Sequence, residues 1–254
     1  MNDLARHFLF AWQFLTAIPL SRAHHDPAPT ELADSMMWYP IVGALLGGLL
    51  AVTDSLIANW LSREVVSALL ILLLVGITRG LHQDGLGDTL DGLAGGRTPA
   101  DRLSIMRDPR IGSIGATGLF LSLIVRYAAF LSLPEAMRWQ ALLCAPALGR
   151  WAMVSGAYGA RYARPESGLA APFLAHLSAK HLIGATLVIG GLLIWQFGAV
   201  HSMIILPGAA LISRFLTSWY SRIFGGITGD TIGATNEVVE LSFLLLVPLS
   251  SRLS

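Results

Sequence analysis

The stretch WYPIVGALLGGLLAVTDSLIANW (38–60) decides the fold class of this chain. It contains one charged residue, Asp54, and it is long enough for a helix that crosses a bilayer, which needs about 20 apolar residues. Its glycines are typical of helices that pack closely against one another in lipid. The stretch therefore predicts a membrane-spanning helix in contact with other helices.

The composition extends this prediction to the whole chain. Of its 254 residues, 54% are hydrophobic and 13% are charged, and the mean hydropathy is +0.62. Soluble domains carry about 25% charged residues, so we predict one integral membrane domain over residues 1–254. The net charge of +1 gives no general attraction to nucleic acid. The single cysteine, Cys144, lies in an apolar run and is predicted to be a packing residue.

Apolar runs of spanning length recur along the chain. We predict an all-α, polytopic bundle of about seven transmembrane helices, preceded by a short interfacial or re-entrant helix within residues 1–20. The seven runs are 38–60, 65–81, 113–133, 139–158, 181–200, 203–224 and 238–249.

Basic residues concentrate in alternate connections between these runs. The basic segments contain Arg6, Arg22, Arg97, Arg102, Arg107, Arg110, Arg161, Arg164, Lys180 and Arg222. The other connections carry only Arg63 or Arg138. Cytoplasmic loops hold the excess of arginine and lysine in membrane proteins. We therefore predict a bacterial cytoplasmic membrane protein whose polar motifs and active site all face the cytoplasm.

The stretch LHQDGLGDTLDG (81–92) concentrates aspartates at the end of the second run. If the helix continues, Asp84, Asp88 and Asp91 stand at i, i+4 and i+7 on one face. Their repulsion near a low-dielectric boundary would be relieved by a divalent cation. Oxygen ligands favour Mg²⁺ or Mn²⁺ over zinc, so we predict all three as metal ligands. The alternative is a solvated helix end.

Other residues of this stretch suggest further roles. We interpret Gly85, Gly87 and Gly92 as leaving the backbone open to a bulky ligand. Asp84 and Asp88 are candidate catalytic residues, since a carboxylate could accept the proton of an attacking hydroxyl. His82 is a second candidate for proton transfer, and its alternative is a structural hydrogen bond.

The next polar segment, DRLSIMRDPRIGSIGATG (101–118), predicts a site for phosphate. Arg107, Asp108 and Arg110 are candidate substrate-binding residues, because arginine forks match phosphate oxygens. The glycine-rich backbone that follows opens a helix, which also suits an anion. The alternative is a cytoplasmic loop whose arginines only set the orientation of the protein.

Two later segments add candidate residues for substrate binding. ARYARPESG (160–168) offers Arg161, Arg164 and Glu166, with topology as an equal explanation. GGITGDTIGATNEVVE (225–240) is the stronger segment, with a second acidic locus predicted to complete the first. Its candidates are Asp230, Glu237 and Glu240, the last of which is an acid inside an apolar run.

Three arginines, Arg126, Arg150 and Arg214, lie within apolar runs. Such residues face the bundle interior or a wet cavity. They could pair with Asp54, with Glu240 or with each other, or line a cavity for an anionic substrate. We favour structural pairing for Arg214. Asp54 falls near the opposite membrane face, and we interpret it as reaching outward to water.

The ordered motifs resemble those of the cobalamin synthases, the adenosylcobinamide-GDP ribazoletransferase family. The resemblance covers nearly the whole chain, and the ordered set is specific whereas a single D-x-x-D would be weak. The matching segments are FLTAIP (14–19), HQDGLGDTLDG (82–92), IMRDPRIGSIGATG (105–118), RYARPESGL (161–169) and GGITGDTIGATNEVVE (225–240).

The resemblance implies a reaction and its participants. A hydroxyl of α-ribazole, or of its 5′-phosphate, attacks the phosphorus nearer cobinamide in adenosylcobinamide-GDP, GMP leaves, and Mg²⁺ is required. The chain would then be a transferase of phosphorus-containing groups. The family's motif residues fall here on Asp84, Asp88, Asp91, Arg107, Asp108, Arg110, Asp230 and Glu237. Association of the chain with itself, or with other enzymes of B12 nucleotide-loop assembly, stays open.

Two alternatives are weighed against this reading. A membrane CDP-alcohol phosphotransferase would show D-G-x-x-A-R, but Asp88 and Thr89 stand where Ala and Arg are expected. A transporter would distribute its polar motifs through the midplane, whereas these motifs lie in loops on one predicted face.

Overall fold

The computed structural model describes residues 2–20, 27–164, 168 and 170–250, so Arg22 and Glu166 lie outside the described residues. Among those residues the only strand-like pairing is a single parallel bridge between Tyr162 and Ile227. The predicted all-α class is confirmed. The helices are α1 (Asp3–Leu15), α2 (Pro29–Met36), α3 (Tyr39–Ile57), α4 (Arg63–Thr78), α5 (Leu81–Ala94), α6 (Pro99–Ile105), α7 (Ser113–Ser132), α8 (Glu135–Ala157), α9 (Ala171–Ala175), α10 (Ala179–Phe224) and α11 (Gly229–Ser250).

The described helices confirm a polytopic membrane bundle but not the predicted count of about seven spans. Four of them, α3, α7, α10 and α11, are long and apolar enough to cross a membrane. α4 and α5 would add a fifth span if taken together, but they meet at a bend of 87°. Because α5 leaves α4 almost at a right angle, it is not a straight continuation of α4 and is not one of the four helices that pass the length and hydropathy test.

α10 folds back on itself at Gly198, where φ is 76° and ψ is 170°. The Leu206 side chain lies 3.9 Å from the place that a Cβ on Gly190 would occupy. A straight helix would hold these two positions about 24 Å apart, so α10 consists of two antiparallel arms, 179–197 and 199–224. The sequence predicted this boundary to within a few residues, as the separate runs 181–200 and 203–224.

α8 lies at the centre of the bundle, with α3, α10 and α11 packed against it. Every residue from Ala141 to Ala157 is buried, including Cys144, which confirms its packing role. A Cβ on Gly43 of α3 would lie 2.6 Å from the Ala147 Cα atom, and one on Gly47 would collide with the α8 backbone in the same way. Small residues thus let two helices approach as they do in lipid.

Arg214 in the second arm of α10 supports the end of α8. Its Nη1 donates hydrogen bonds to the Tyr158 carbonyl oxygen at 2.7 Å and to the Ser155 carbonyl oxygen at 3.3 Å. These are carbonyls of a helix terminus, which have no partner within their own helix. The structural role favoured for Arg214 is therefore confirmed, with backbone oxygens as its partners.

Asp54 does not reach outward to water, which corrects its interpretation from sequence. It is only 6% exposed. Arg138 of α8 donates to its carboxylate from Nε at 2.9 Å and from Nη2 at 2.8 Å. Arg63 approaches the same carboxylate at 3.3 Å and also pairs with Glu135. Arg63 and Arg138, the two arginines of the sparsely charged connections, therefore both contact Asp54 at one end of the bundle.

Asp54→Asn should lower the free energy of unfolding by about 3–5 kcal/mol, because it leaves the Arg138 guanidinium buried without a counter-charge. Glu135→Gln is the matched control, since Glu135 is exposed and its loss should cost less than about 1 kcal/mol. Unfolding in mixed detergent micelles, followed by circular dichroism, measures both. Equal losses for the two variants would contradict the assignment.

Candidate active site

α5 and the start of α11 cross with their backbones in contact. A Cβ on Gly85 would lie 2.8 Å from the Asp230 carbonyl oxygen and 3.0 Å from its Cα atom. Asp84 and Asp88, which flank Gly85 on α5, therefore lie beside Asp230, and the charges of Asp84 and Asp230 both act on Asp88. The structure thus brings together the two acidic motifs that the sequence predicted to form one site.

Two of the three glycines of α5, Gly85 and Gly92, have a different role from the predicted one. The space next to Gly85 is filled by the α11 backbone, and a Cβ on Gly92 would lie 2.6 Å from the Met106 side chain. Leu119 likewise stands 3.1 Å from a Cβ built on Gly87. Gly85 and Gly92 therefore allow close helix packing, whereas Gly87 also lines a cavity between α5 and α7.

Asp84 and Asp88 face a cavity of about 190 Å³ between α5, α7 and the segment that follows α6. Arg107 and Asp108 also line it, so the first two predicted motifs share one space. Arg110 is not part of the lining. Its Nε and Nη2 donate to Asp108 at 2.9 and 2.7 Å, and this pairing lowers the pKa of Asp108 to about 2.

Asp88 lies among three other carboxylates, and Arg164 offsets part of their charge. Burial, followed by the charges of Asp84, Asp230 and Asp91, raises the pKa of Asp88 to about 7, against an opposing effect of Arg164. Carboxylates crowded in this way favour binding of a cation, which removes their repulsion. Such crowding is typical of functional sites, where charges are not arranged for stability alone.

The donor set at this crossing fits Mg²⁺. Within the described ranges, no three His, Cys, Asp or Glu side chains converge closely enough to hold a metal by themselves. Mg²⁺ does not need such a cage, since one or two carboxylates, waters and substrate phosphates usually hold it. Asp84, Asp88 and Asp230 are the oxygen donors that could do so here.

Asp91 is on the predicted stripe, but its carboxylate binds the N-terminus of α7. The Gly112 and Gly115 amides donate to Oδ2 and Oδ1, each at 2.7 Å. A Cβ on either glycine would collide with this carboxylate. The glycine-rich helix start therefore binds an anion, as predicted, but that anion is Asp91 and not a substrate phosphate. Each Asp91 oxygen accepts one amide and keeps a second lone pair, so metal ligation by Asp91 stays a prediction.

The third motif reaches the site through backbone pairing with the fourth. The Ile227 amide donates to the Arg161 carbonyl oxygen at 2.8 Å, and the Ala163 amide donates to the Ile227 carbonyl oxygen at 2.9 Å. This pairing holds Arg164 with its Nη1 3.3 Å from Asp230 Oδ2. Arg164 is thus brought to the acidic motif, whereas Arg161 is exposed and contributes its backbone.

Two arginines and two glutamates form a buried network in the interior next to α5. Arg126 donates from Nη2 to Glu237 at 2.9 Å and from Nη1 to Glu240, and Arg150 donates to the other oxygen of Glu240 at 2.9 Å. Each of the four is at most 2% exposed. From sequence, Arg126 and Arg150 could pair with an acid or line a cavity for a substrate, and the structure shows that both pair with Glu240. Substrate contact by Glu237 or Glu240 stays a prediction, since these arginines occupy their carboxylates.

His82 joins this network and does not line the cavity. It is 1% exposed, and its Nδ1 lies 3.4 Å from Arg150 Nη2. Because a guanidinium only donates, Nδ1 is the acceptor and the ring proton is on Nε2. Burial and the charges of Arg150 and Arg126 hold the pKa of His82 well below its usual value. These contacts favour the structural alternative for His82 over proton transfer.

Two amides inside the quoted motifs were not singled out from sequence. Asn236 is fully buried and its Nδ2 donates to Glu237 at 3.2 Å. Gln83 is 8% exposed, and its Oε1 has no hydrogen-bond partner among the described residues. Each is an uncharged polar side chain inside an apolar or glycine-rich helix, and this pattern could have marked them as site residues. It is a weaker indication of function than a charged side chain at the same position, because burying an uncharged amide costs less free energy.

Comparison with known proteins is consistent with this site. Residues 7–248 match the profile of a family described as cobalamin-5-phosphate synthase. Proteins named adenosylcobinamide-GDP ribazoletransferase from Syntrophobacter fumaroxidans and Ectopseudomonas mendocina are 36% and 38% identical to this chain, and each alignment covers 94% of it. The alignments cover 96% and 97% of those relatives. A protein of the same name from Desulforamulus reducens is 37% identical over 96% of both chains. No solved structure matches the chain.

Gly85→Ala should destabilise the protein by several kcal/mol, because the added methyl group meets the Asp230 backbone, which cannot move away as a side chain could. The matched control is Gly76→Ala in α4, where an added Cβ has no neighbour within 4 Å. Alanine should be neutral or favourable there by up to about 1 kcal/mol. Thermal unfolding in detergent measures both, and a stable Gly85→Ala protein would contradict the close crossing.

Proposed function

The chain belongs to the cobalamin-5-phosphate synthase family, and on this premise we propose that it is an adenosylcobinamide-GDP ribazoletransferase. It joins α-ribazole, or α-ribazole 5′-phosphate, to adenosylcobinamide-GDP and releases GMP. The observation that carries the proposal is the meeting of Asp84 and Asp88 with Asp230, beside Arg107 and Arg164. Arginines and carboxylates from four motifs in one place suit transfer between phosphate groups.

The reaction is a substitution at phosphorus. The acceptor hydroxyl oxygen forms a bond to the phosphorus nearer cobinamide, the bond from that phosphorus to the GMP oxygen breaks, and the hydroxyl proton is removed. Negative charge on the transferring and leaving oxygens is stabilised by nearby cations. Arg107 lines the cavity and Arg164 lies at Asp230, so both are placed to bind pyrophosphate oxygens.

Magnesium dependence is part of the proposal. Asp84, Asp88 and Asp230 would hold Mg²⁺, with Asp91 as a further donor, because each of its oxygens accepts one backbone amide and keeps a lone pair. When bound, the ion would neutralise charge on the pyrophosphate and on the departing GMP. The carboxylates would otherwise repel an anionic substrate, so Arg107 and Arg164 alone would have to offset them.

A carboxylate of the cavity is the favoured acceptor for the hydroxyl proton. Asp84 and Asp88 both line the cavity, whereas His82 is buried and turned toward Arg150. A general base must come within hydrogen-bond reach of the proton that it removes. We therefore assign this step to Asp84 or Asp88, and to His82 the positioning of Arg150.

The location that we propose is the bacterial cytoplasmic membrane, with the site facing the cytoplasm. Arg107 and Arg164 belong to the arginine-rich segments that face the cytoplasm under the positive-inside rule. The sparsely charged connections contribute Arg63 and Arg138 to the Asp54 cluster, far along α3 and α8 from these segments. A transport function has less support, since the buried Arg126 and Arg150 are paired with glutamates and do not line the cavity at Asp84 and Asp88.

The direct test is purified protein in detergent with adenosylcobinamide-GDP, α-ribazole and Mg²⁺. We expect one GMP released for each cobalamin formed, measured by chromatography and by the change in corrin absorbance. Chelation of Mg²⁺ should stop both. Release of no GMP under any divalent cation would refute the proposal, and coupled flux in vesicles without a covalent product would favour transport.

Asp88→Asn and Asp91→Ala should have opposite effects on stability. Asp88→Asn removes one crowded charge, so the metal-free protein should melt at a higher temperature while GMP release falls by about 100-fold. Asp91→Ala leaves the Gly112 and Gly115 amides without acceptors and should cost about 1–2 kcal/mol. Thermal unfolding with a chelator and the GMP assay measure both. A destabilised Asp88→Asn protein with full activity would contradict the site.

A further inference from the structure

A second cavity, of about 550 Å³, opens on the other side of Asp84. The end of α1, the bend between α4 and α5, and one residue of α7 form its walls. Asp84 and Leu119 line both this cavity and the smaller one described above. The lining residues are Gln13, Phe14, Thr16, Thr78, Arg79, Gly80, Leu81, Gln83, Asp84 and Leu119.

The polar side chains of this cavity are not all used within the protein. Gln83 is 8% exposed and its Oε1 has no partner among the described residues, which is a cost that a ligand hydrogen bond would remove. Thr16 and Thr78 donate their hydroxyl protons to the Trp12 and Leu74 carbonyl oxygens. The Thr16 oxygen also accepts from the Ile18 amide at 3.4 Å, whereas the Thr78 oxygen keeps both of its acceptor positions among the described residues.

Arg79 occupies a backbone position that favours glycine. Its φ is 53°, and in the described part of the chain it is the one residue other than glycine with a positive φ. It ends α4, where glycine is the usual residue. Its guanidinium contacts the Ala17 carbonyl oxygen at 3.4 Å and forms no ion pair within the described residues. Strained backbone of this kind is concentrated at ligand sites.

We propose that this cavity binds the nucleoside monophosphate part of a substrate, an inference that rests on the proposed function. Arg79 binds the phosphate, the amides and hydroxyls bind the ribose and base edge, and Phe14 and Leu119 contact the base. A volume of about 550 Å³ suits a small-molecule site, which usually measures about 300–1,000 Å³. The 190 Å³ cavity then holds the reacting phosphates.

Both substrates contain this chemistry. The acceptor is a nucleoside or its 5′-phosphate, and the donor carries guanosine diphosphate. Asp84 lies at the boundary of the two cavities, so either nucleoside would reach the acidic motif from the larger one. The test must therefore distinguish the acceptor from the guanosine moiety.

The decisive variant is Arg79→Gly, because it removes the guanidinium and relaxes the backbone at once. It should unfold at the same temperature as the parent protein or higher. The KM of one substrate should rise about tenfold, as for loss of one charge-assisted hydrogen bond. Arg79→Lys should have an intermediate KM. Arg97→Gly is the control, since Arg97 is exposed and lines neither cavity.

The pattern of KM values identifies the source of the nucleoside. A higher KM for α-ribazole 5′-phosphate, with the donor unaffected, assigns the cavity to the acceptor. A higher KM for adenosylcobinamide-GDP and weaker inhibition by GMP assign it to the guanosine moiety. Unchanged KM values in both Arg79→Gly and Gln83→Leu, in a parent protein that is active, would overturn the proposal.

Calorimetry separates this inference from the proposed function, because it needs no turnover. GMP and α-ribazole 5′-phosphate are titrated into the intact parent protein and into the Arg79→Gly and Gln83→Leu variants. We expect one of the two ligands to bind the parent about tenfold more tightly than either variant. Equal affinities would overturn the cavity assignment, whereas a parent that binds but releases no GMP would overturn only the proposed reaction.

Discussion

The structure depends on a requirement that every charge buried in the bundle has a partner. Arg126, Arg150, Glu237 and Glu240 satisfy it together, since two guanidinium groups meet two carboxylates with each group at most 2% exposed. Removing one member would leave its partner charged in a low-dielectric interior, which is far more costly than losing the pair. The network therefore fixes α7, α8 and α11 relative to one another, and through His82 it also fixes α5.

The acidic site next to this network follows the opposite rule. Asp84, Asp88 and Asp230 are brought together by the crossing at Gly85, but Arg164 is the cation that reaches them most directly. Arg164 offsets only part of their repulsion, since the pKa of Asp88 is still raised. The rigid, paired interior can hold these charges in place because its own contacts do not depend on them. The paired charges of the network thus stabilise the bundle, and the crowded carboxylates beside them are the ones available for the reaction.

Much of this arrangement was predictable, and the errors have a common physical origin. Apolar runs predicted the helices because a helix in lipid must be apolar along its length. The errors and omissions concern contacts between helices: the sequence did not show that Asp91 accepts hydrogen bonds from the Gly112 and Gly115 amides. Gly85 was interpreted as open space but faces α11. A helical stripe shows which side chains share a face, but it does not show what that face meets.

The sequence by itself determined the helical membrane class, the resemblance to a family and the motifs that supply the site, because these depend on residue type and local spacing. Only the tertiary structure decided which charges neutralise one another. Glu240 is paired with two arginines and Asp88 lies among other carboxylates, although both are acids near apolar runs. The reason is that electrostatic energy depends on distance and burial, and the bend after Thr78 and the crossing at Gly85 set both for residues far apart in the chain.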